Sequence, residues 1–459
     1  MKTLHPADYS TTVELNVLNQ IYDPLIYMNP NGAEDPEPRL AEKYEISDDG
    51  LTSTFYLRDD ITFHDGSAIT ADDVVFSLEM YQNSEYQNTY VTGLDYAEAT
   101  DDTTVVCHLT APYAPFLLGI SFVHIASKAY YEKSPEEFVS NPIGSGPYQF
   151  ESRTKGTNVV LKAYEDYYRG AASIPEVTFE VIPSQSTMAV ALQTGEINFA
   201  EIDAVNLPQL EGAENITTQN VATSGFAYVT MNLDRAPFDN VLVRQAINYA
   251  LNRENIILVC YEGAAELNSS LCSPERFGYS EDLMQYEYNP EKAKELLAEA
   301  GIETPYNLGE ILVDESNSSL AAVIQNDLKA VGLETSIATK EFNAYIGDLT
   351  SGTYGISALT MTLEGDTQML EMAFCTDYIG TANNARYSDP EMDELFNEAR
   401  TETDTEKRAE LFYNILEKAQ EEAIYAPICN PLTIFAYNSD LQVPEIPYEG
   451  LYSLYDFTW

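Results

Sequence analysis

Positive charge is scarce in this chain: 23 lysines and arginines stand against 74 aspartates and glutamates, for a formal net charge of −51 over 459 residues. Binding nucleic acid takes stripes of cations to displace the phosphate counter-ions, so that class of partner is excluded. Histidine is limited to His5, His64, His108 and His124, and no HExxH pair of a zinc hydrolase occurs. No serine sits in a GxSxG elbow. Gly144-Ser145-Gly146-Pro147 lacks both a Walker lysine and the third glycine of a dinucleotide loop, so it reads as a turn. Apolar runs are short as well. The longest, residues 116–126, falls under the ~18 residues that a membrane span requires. Tryptophan occurs once, at Trp459.

The five cysteines, at 107, 260, 272, 375 and 429, have no CxxC or zinc-like spacing, and their odd number leaves at least one thiol unpaired within the chain. Two readings stay open for the rest: one disulfide, Cys260 or Cys272 with Cys375, or small buried hydrophobes. The acidity reads as a solvated surface, because so many charges cannot line one pocket. Carboxylate pairs such as Asp72-Asp73 and Glu421-Glu422 are inevitable in such a chain and carry little weight as a glycosidase signature. His64, inside His64-Asp65-Gly66, reads as a turn residue rather than a metal ligand. The first residues, MKTLHPADYS, contain no apolar signal region and no lipobox cysteine.

What the chain does have is clear local punctuation. Residues 22–27 form a short apolar segment, followed by the turn-rich NPNGAEDPEP and by a return toward the core at 40–46. Asp48-Asp49-Gly50 is a hairpin signal ahead of a strand at 52–57, where Phe55 and Leu57 alternate with Thr54 and Tyr56. Thr70, with Asp73 three residues on, opens a helix that puts Val74, Leu78 and Tyr81 on one face. Further on, 308–339 reads as βαβ: a strand at 311–313, a helix burying Leu320, Val323, Ile324, Leu328 and Val331, a stop at Gly332, and a strand at 335–338. Asn289-Pro290 begins a helix with Ala293, Leu296, Leu297 and Ala300 as its stripe and Gly301 as its stop. Residues 391–423 read as two helices broken near 401–405, and no internal repeat or low-complexity linker is present.

Several of these blocks carry a resemblance. The wording YDPL, LAEKYEISDDG, LRDDITFHDG and TADDVVFSLE within residues 21–79 resembles the peptide/nickel class of extracytoplasmic solute-binding proteins, family 5, that feed ABC importers. NPIGSGPYQF at 141–150, YEDYYRG at 164–170, MNLDRAPFDNVLVRQAINYAL at 231–251, YNPEKAKELLAEAG at 288–301 and YSDPEMDELF at 387–396 follow in family order and cover nearly the whole chain. The resemblance implies an α/β fold of the type II, Venus-flytrap kind, with two large lobes and an additional small one. The first lobe is expected at 1–30, 143–233 and 430–459, the small lobe at 31–142, and the second large lobe at 234–429. It also implies a place outside the cytoplasm, in the periplasm or as a cell-surface lipoprotein. Thr3-Leu4-His5-Pro6 resembles the segment just after the family's first strand, so the chain is expected to start late.

The implied function is capture of a peptide or other small polar solute between two lobes and delivery to permease subunits, by a monomer with no cofactor, no resident metal and no catalytic residue. The 33 tyrosines suit such a cleft, since Tyr joins a large apolar face to a hydroxyl, although most are expected to be structural. Residues 357–366, SALTMTLEGD, match the family's ligand-facing loop, where peptide binders use a Trp and an Asp. Here Thr360 or Met361 stands near the place of the Trp and Leu363 at that of the Asp, so Glu364 and Asp366 become the candidates for a ligand's amino group. Tyr9 resembles a pocket tyrosine of the nickel-binding branch, whose metal-linked histidine has no match after His124. Two alternatives remain: a metal-chelate binder of the same family, and, from a different class, a secreted hydrolase using two carboxylates.

Overall fold

Side-chain oxygens decide where the helices begin. The computed structural model describes residues 3–29, 35–210, 212–362 and 367–459, which divide into two compact units: residues 1–219 with 435–459, and residues 220–434. In the first, α1 (Thr12–Ile21) starts where the Thr11 hydroxyl accepts the Glu14 N–H at 3.2 Å. A four-stranded antiparallel sheet follows, built from β1 (Ala41–Ile46), β2 (Thr52–Leu57), β3 (Leu94–Asp101) and β4 (Thr104–Leu109) in the order β1-β2-β4-β3. Along β2, Ser53, Phe55 and Leu57 are buried and their neighbours are not, which is the period of two of a half-buried strand.

Between β2 and β3 lies α2 (Ala71–Gln82). The Asp73 carboxylate accepts from both the Thr70 N–H and the Thr70 hydroxyl at 2.9 Å, so the expected capping pair forms, and its other oxygen accepts the Lys128 N–H at 3.0 Å. Val74, Leu78 and Tyr81 are fully buried on one face of the helix, as their spacing predicts. The 116–126 run divides into a five-residue helix, Phe116–Ile120, and a non-helical stretch. No helix among the described residues is long and apolar enough to cross a membrane. A second antiparallel sheet joins β5 (Tyr148–Thr154), β6 (Asn158–Ala163) and β7 (Glu176–Glu180) in sequence order. Then come β8 (Phe199–Glu201) and β9 (Ile216–Val221).

The second unit is organised by one mixed sheet. Its strands are β10 (Gly225–Met231), β11 (Ala265–Leu267), β12 (Tyr306–Asp314), β13 (Leu333–Lys340), β14 (Ile356–Thr362) and β15 (Tyr425–Pro431), in the order β11-β15-β10-β14-β12-β13. Helices α3 (Val241–Ala250), α4 (Arg253–Tyr261), α5 (Pro290–Glu299) and α6 (Ser318–Ala330) bury apolar faces in the core that includes Ile311, Val313 and Ile356 of this sheet. The βαβ reading is met by β12, α6 and β13, with Ile311 opposite Ile337 in parallel register. The strands run past the residues read from sequence at both ends, because pairing with a neighbour extends a strand beyond its apolar centre. Gly301 (φ +76°) and Gly332 (φ +87°) end α5 and α6 in the left-handed region that a side chain resists. Residues 390–421 form α7 (Pro390–Thr401) and α8 (Thr405–Glu421), broken where expected.

The chain enters this unit after Gln219 and leaves it after Ile434, within β9 and β16 (Thr433–Asn438), whereas the passages were expected at 233 and 429. The reason is pairing: Gly225–Met231 lies along the whole of Ile356–Thr362, from Gly225 opposite Thr362 to Met231 opposite Ile356. All five cysteines are free thiols, so of the two readings left open the disulfide with Cys375 is not formed; Cys107, Cys272, Cys375 and Cys429 are buried and Cys260 is half-buried.

Candidate functional site

In the second unit β12, β13 and β14 run parallel, so Asp314, Lys340 and Thr362 reach the same edge of the sheet. The antiparallel neighbours bring Gly225, opposite Thr362, and the end of β15 to that edge too. The carboxyl ends of parallel strands are where open α/β sheets take their ligands, since side chains and loops there are free of sheet pairing. Polar side chains collect there. The Thr360 hydroxyl donates to Asn317 Oδ1 at 3.2 Å and lies 3.1 Å from the Tyr261 hydroxyl. Asp314 accepts from the Ser316 hydroxyl and the Asn317 amide, each at 2.6 Å. Burial opposes its ionisation, yet these hydrogen bonds hold its carboxyl below the usual range. Asn268 donates to Asn430 at 2.7 Å, and Asn430 donates to the Gly225 carbonyl at 2.8 Å, fixing the backbone where β10 begins.

Thr360, expected near the place of the family's Trp, is exposed, and Met361 is half-buried with its sulfur 4.0 Å from the Tyr228 hydroxyl. Leu363, Glu364 and Asp366 lie outside the described residues. On their far side the Thr367 hydroxyl donates to the Phe277 carbonyl, and Gln368 donates to Glu371 at 2.7 Å and to the Phe396 carbonyl at 3.2 Å.

Tyr9 belongs to the first unit and is 3% exposed. Its ring meets His124 edge-on at 6.2 Å and its carbonyl accepts from Gln87 at 2.8 Å. His124 in turn sets one ring nitrogen 2.9 Å from Asn19 Oδ1 and the other 3.1 Å from the Tyr81 hydroxyl. Burial pushes its pKa down to about 4, so the ring is neutral. Tyr9 thus belongs to the apolar core of the first unit.

His64 is the turn residue it was read as, and more. Its Nδ1 accepts the Gly144 N–H at 3.2 Å, its Nε2–H donates to the Gly146 carbonyl at 2.9 Å, and its own N–H donates to the Gly144 carbonyl at 2.9 Å. Both ring nitrogens are engaged, and burial pushes the pKa down to about 4. Among the described residues no group of three or more His, Cys, Asp or Glu side chains could hold a metal ion. Ser145, between those glycines, accepts the Asp23 N–H at 3.1 Å, and Asp23 accepts from Tyr167 at 3.3 Å. Sequence reasoning missed these links. The signal was present all the same, because HDG, GSGP, YDPL and YYRG are the blocks that carried the resemblance, and here they are bonded to one another.

Comparison with known proteins agrees with this architecture. Residues 35–380 match the profile of bacterial extracellular solute-binding proteins, family 5 Middle. Heme-binding protein A of Haemophilus influenzae is 31% identical over 451 residues, covering 90% of this chain and 82% of that protein. The dipeptide-binding protein of Escherichia coli K12 is 30% identical over 420 residues, covering 83% and 78%. The structure of HbpA2 from Haemophilus parasuis superposes with a TM-score of 0.89 at 28% identity, covering 98% of this chain and 97% of that one. The fold is that of the periplasmic binding proteins, and the chain belongs to the bacterial extracellular solute-binding proteins of family 5, which work outside the cytoplasm as solute-binding components of ABC transporters and not as enzymes.

Proposed function

We propose that the solute is a short peptide, gripped through its backbone and its amino terminus. The observation that carries this reading is the 30% identity to a dipeptide-binding protein over 83% of the chain. The hydroxyl and amide groups of Thr360, Tyr261 and Asn317 at the strand edge are its chemical support, since a peptide backbone offers both donors and acceptors to such groups. Tyr9, Glu364 and Asp366 are the side chains assigned to the ligand, the two carboxylates to its amino terminus. The solute is bound between lobes whose closure it favours by touching both. Residues 31–142 are taken as the small lobe, supported by the separate core under β1 to β4. The protein is assigned as a monomer whose closed form docks on permease subunits, either free in the periplasm or held at the cell surface by a lipid.

Metal chelates fit less well. All four histidines lie in the first unit, and both ring nitrogens of His64 and His124 face hydrogen-bond partners. Heme is favoured by the Haemophilus relative and is the second reading. Mass spectrometry of copurified ligand, followed by thermal shift and small-angle scattering with peptides and with hemin, separates them. A peptide is expected to raise the melting temperature and compact the particle. No response to peptides, with a Soret shift on hemin addition, would select heme. For the carboxylates, Glu364→Gln and Asp366→Asn are compared with Glu406→Gln. Loss of the amine's partner should cost about 2–5 kcal/mol of binding, and N-acetylation of the peptide should have a similar effect. If both variants bind like the control and acetylation changes nothing, the amino-terminus assignment fails.

A further inference from the structure

Asp23 follows α1 in the first unit and is 6% exposed. Its backbone is tied on both sides, with its N–H donating to Ser145 Oγ and its carbonyl accepting the Ile125 N–H, each at 3.1 Å. The carboxyl is tied on one side only. Oδ1 accepts from the Tyr167 hydroxyl at 3.3 Å, whereas Oδ2 is buried without a hydrogen-bond partner among the described residues. The Tyr168 hydroxyl is buried beside that of Tyr167.

Cations surround this acid without contacting it directly. The Arg58 guanidinium lies 5.1 Å over the Tyr168 ring, Arg169 lies 4.6 Å over Tyr455, and Arg39 lies 4.9 Å over Tyr27. Tyr167 packs edge-on against Tyr168 at 4.7 Å and Tyr455 at 5.3 Å. Segment 164–170 is therefore held on Asp23 by one hydroxyl. Its other ties include Tyr164, whose N–H donates to the Pro147 carbonyl at 2.9 Å and whose hydroxyl lies 2.9 Å from Thr62 Oγ1 and donates to the Phe63 carbonyl at 3.1 Å, and Tyr455, which donates to the Arg169 carbonyl at 2.6 Å. A buried carboxylate with half its hydrogen bonds unmade is costly to ionise, while the neutral acid is not.

We propose that Asp23 is a proton-operated catch for segment 164–170: protonated, it stays buried and holds Tyr167; ionised, it draws in water or the Arg39 and Arg169 guanidinium groups, and the segment loosens. Burial pushes this carboxyl up to about 7, against the opposing pull of the Tyr167 hydroxyl, Arg39 and Arg169. Burial moves the tyrosines and histidines packed here away from that range. Burial drives Tyr22, Tyr167 and Tyr168 far upward. His124, 5.7 Å from the Tyr22 ring, and His64, 5.0 Å from the Tyr164 ring, are held near about 4. Glu37 pairs with Arg39 at 3.1 Å and Asp60 with Arg58 at 2.9 Å, Asp456 faces Arg169, and Glu165 and Asp166 of the segment itself are exposed.

The folded carboxyl binds its proton more tightly than the opened one, whose ordinary value is 3.8. The catch is therefore fully closed below that value, weakens as pH rises, and reaches a constant weakness above the folded value. Hydrogen exchange of peptides spanning 160–172, corrected for intrinsic rate, reads this directly on the full chain. The protection of wild type divided by that of Asp23→Asn should fall more than about tenfold between roughly pH 5 and 7, then level off. In Tyr167→Phe, which keeps the acid buried but removes the bond that lowers its pKa, the plateau should begin at higher pH, and this arm stands even where Asp23→Asn does not fold. A wild-type profile shared with Asp23→Asn, or one common to every peptide of the first unit, overturns the proposal. So does an unmoved plateau in Tyr167→Phe.

Discussion

All four histidines lie in the first unit and none in the second, and the difference extends to how each unit satisfies its buried polar groups. In the first, long connections are fastened by groups that titrate: His64 on Gly144 and Gly146, His124 on Asn19 and Tyr81, and Asp23 on Tyr167. In the second, the comparable fasteners are arginines held by carbonyl oxygens. Arg253 donates to the carbonyls of Pro427 (2.8 Å), Asn248 (3.0 Å) and Tyr286 (2.9 Å) and to Asn248 Oδ1 (3.0 Å). Arg244 donates to Phe238 at 2.9 Å and to Glu422 at 3.0 and 2.6 Å. Burial pushes Arg253 down only to about 10, so it keeps its charge across the neutral range. One unit is thus fastened largely by contacts that sense pH and the other largely by contacts that do not, with half-buried Asp327, raised to about 6 by burial, and Asp314, held below its usual range, among the exceptions in the second unit.

The largest expected effect comes from removing an arginine fastener. Arg253→Leu leaves three buried carbonyls and the Asn248 side chain without their donor and should destabilise the second unit by about 3–5 kcal/mol. Exchange protection should fall along β10 and β15 while β1 to β4 keep theirs; equal loss in both units would show that the comparison does not hold. Next comes Gly144→Ala. A Cβ at Gly144 would lie 2.0 Å from the Ile21 carbonyl oxygen, so backbone must move. The first unit should lose about 2–3 kcal/mol, the range for overpacking, and a melting midpoint at the wild-type value would refute the close approach.

The pH contrast can be broken by one substitution. His64 has its pKa depressed from 6.5 to about 4, so its contribution is fully present above 6.5 and is lost as pH falls toward about 4. Within that window each such group adds a slope of about 1.4 kcal/mol per pH unit. His64→Gln should flatten the acid-side slope of the first unit by about that amount, even though it lowers stability at neutral pH, and denaturant midpoints at successive pH values measure it. His124 acts in the same sense as His64 and Asp23 in the opposite sense over the same range, so the wild-type slope is the net of all three. The smallest effect belongs to a helix cap. Asp404 accepts the Lys407 N–H at 3.1 Å at the start of α8, and Asp404→Ala should cost about 1 kcal/mol in the second unit. A larger loss would mean that α7 and α8 unravel together.

Much of the second unit was legible because its signals are local. Leu320, Ile324 and Leu328 recur at helical spacing, Gly332 follows, and the helix is α6. Asn289-Pro290 caps α5 for the same kind of reason. In the first unit β2 and α2 were equally plain, whereas α1, with buried Glu14, Asn16 and Gln20 among its residues, shows no clean apolar stripe and was not read. Asn16 and Gln20 are polar by composition but buried by contact, donating to the carbonyls of Gly450 at 3.1 Å and Tyr452 at 3.0 Å. Partners more than 400 residues away leave no trace in a local window. The site rests on the resemblance. Residues 357–366 were placed by wording alone; residues 357–362 end a strand at the edge where parallel strands terminate, whereas Glu364 and Asp366 lie outside the described residues and rest on the resemblance.

Composition and spacing determined that this chain makes alternating strands and capped helices and carries no nucleic-acid-binding array, while its HDG, GSGP, YDPL and YYRG wording carried the resemblance to its family. That much follows because helix caps, glycine stops and apolar periods act over a few residues. Only the tertiary structure decided that His64 locks onto Gly144 and Gly146, that Asp23 buries one oxygen without a hydrogen-bond partner among the described residues, and that Asp314, Thr360 and Gly225 share one sheet edge. Those outcomes depend on which segments distant in the chain pack together, and on burial, which sets whether a histidine or an aspartate carries charge at all.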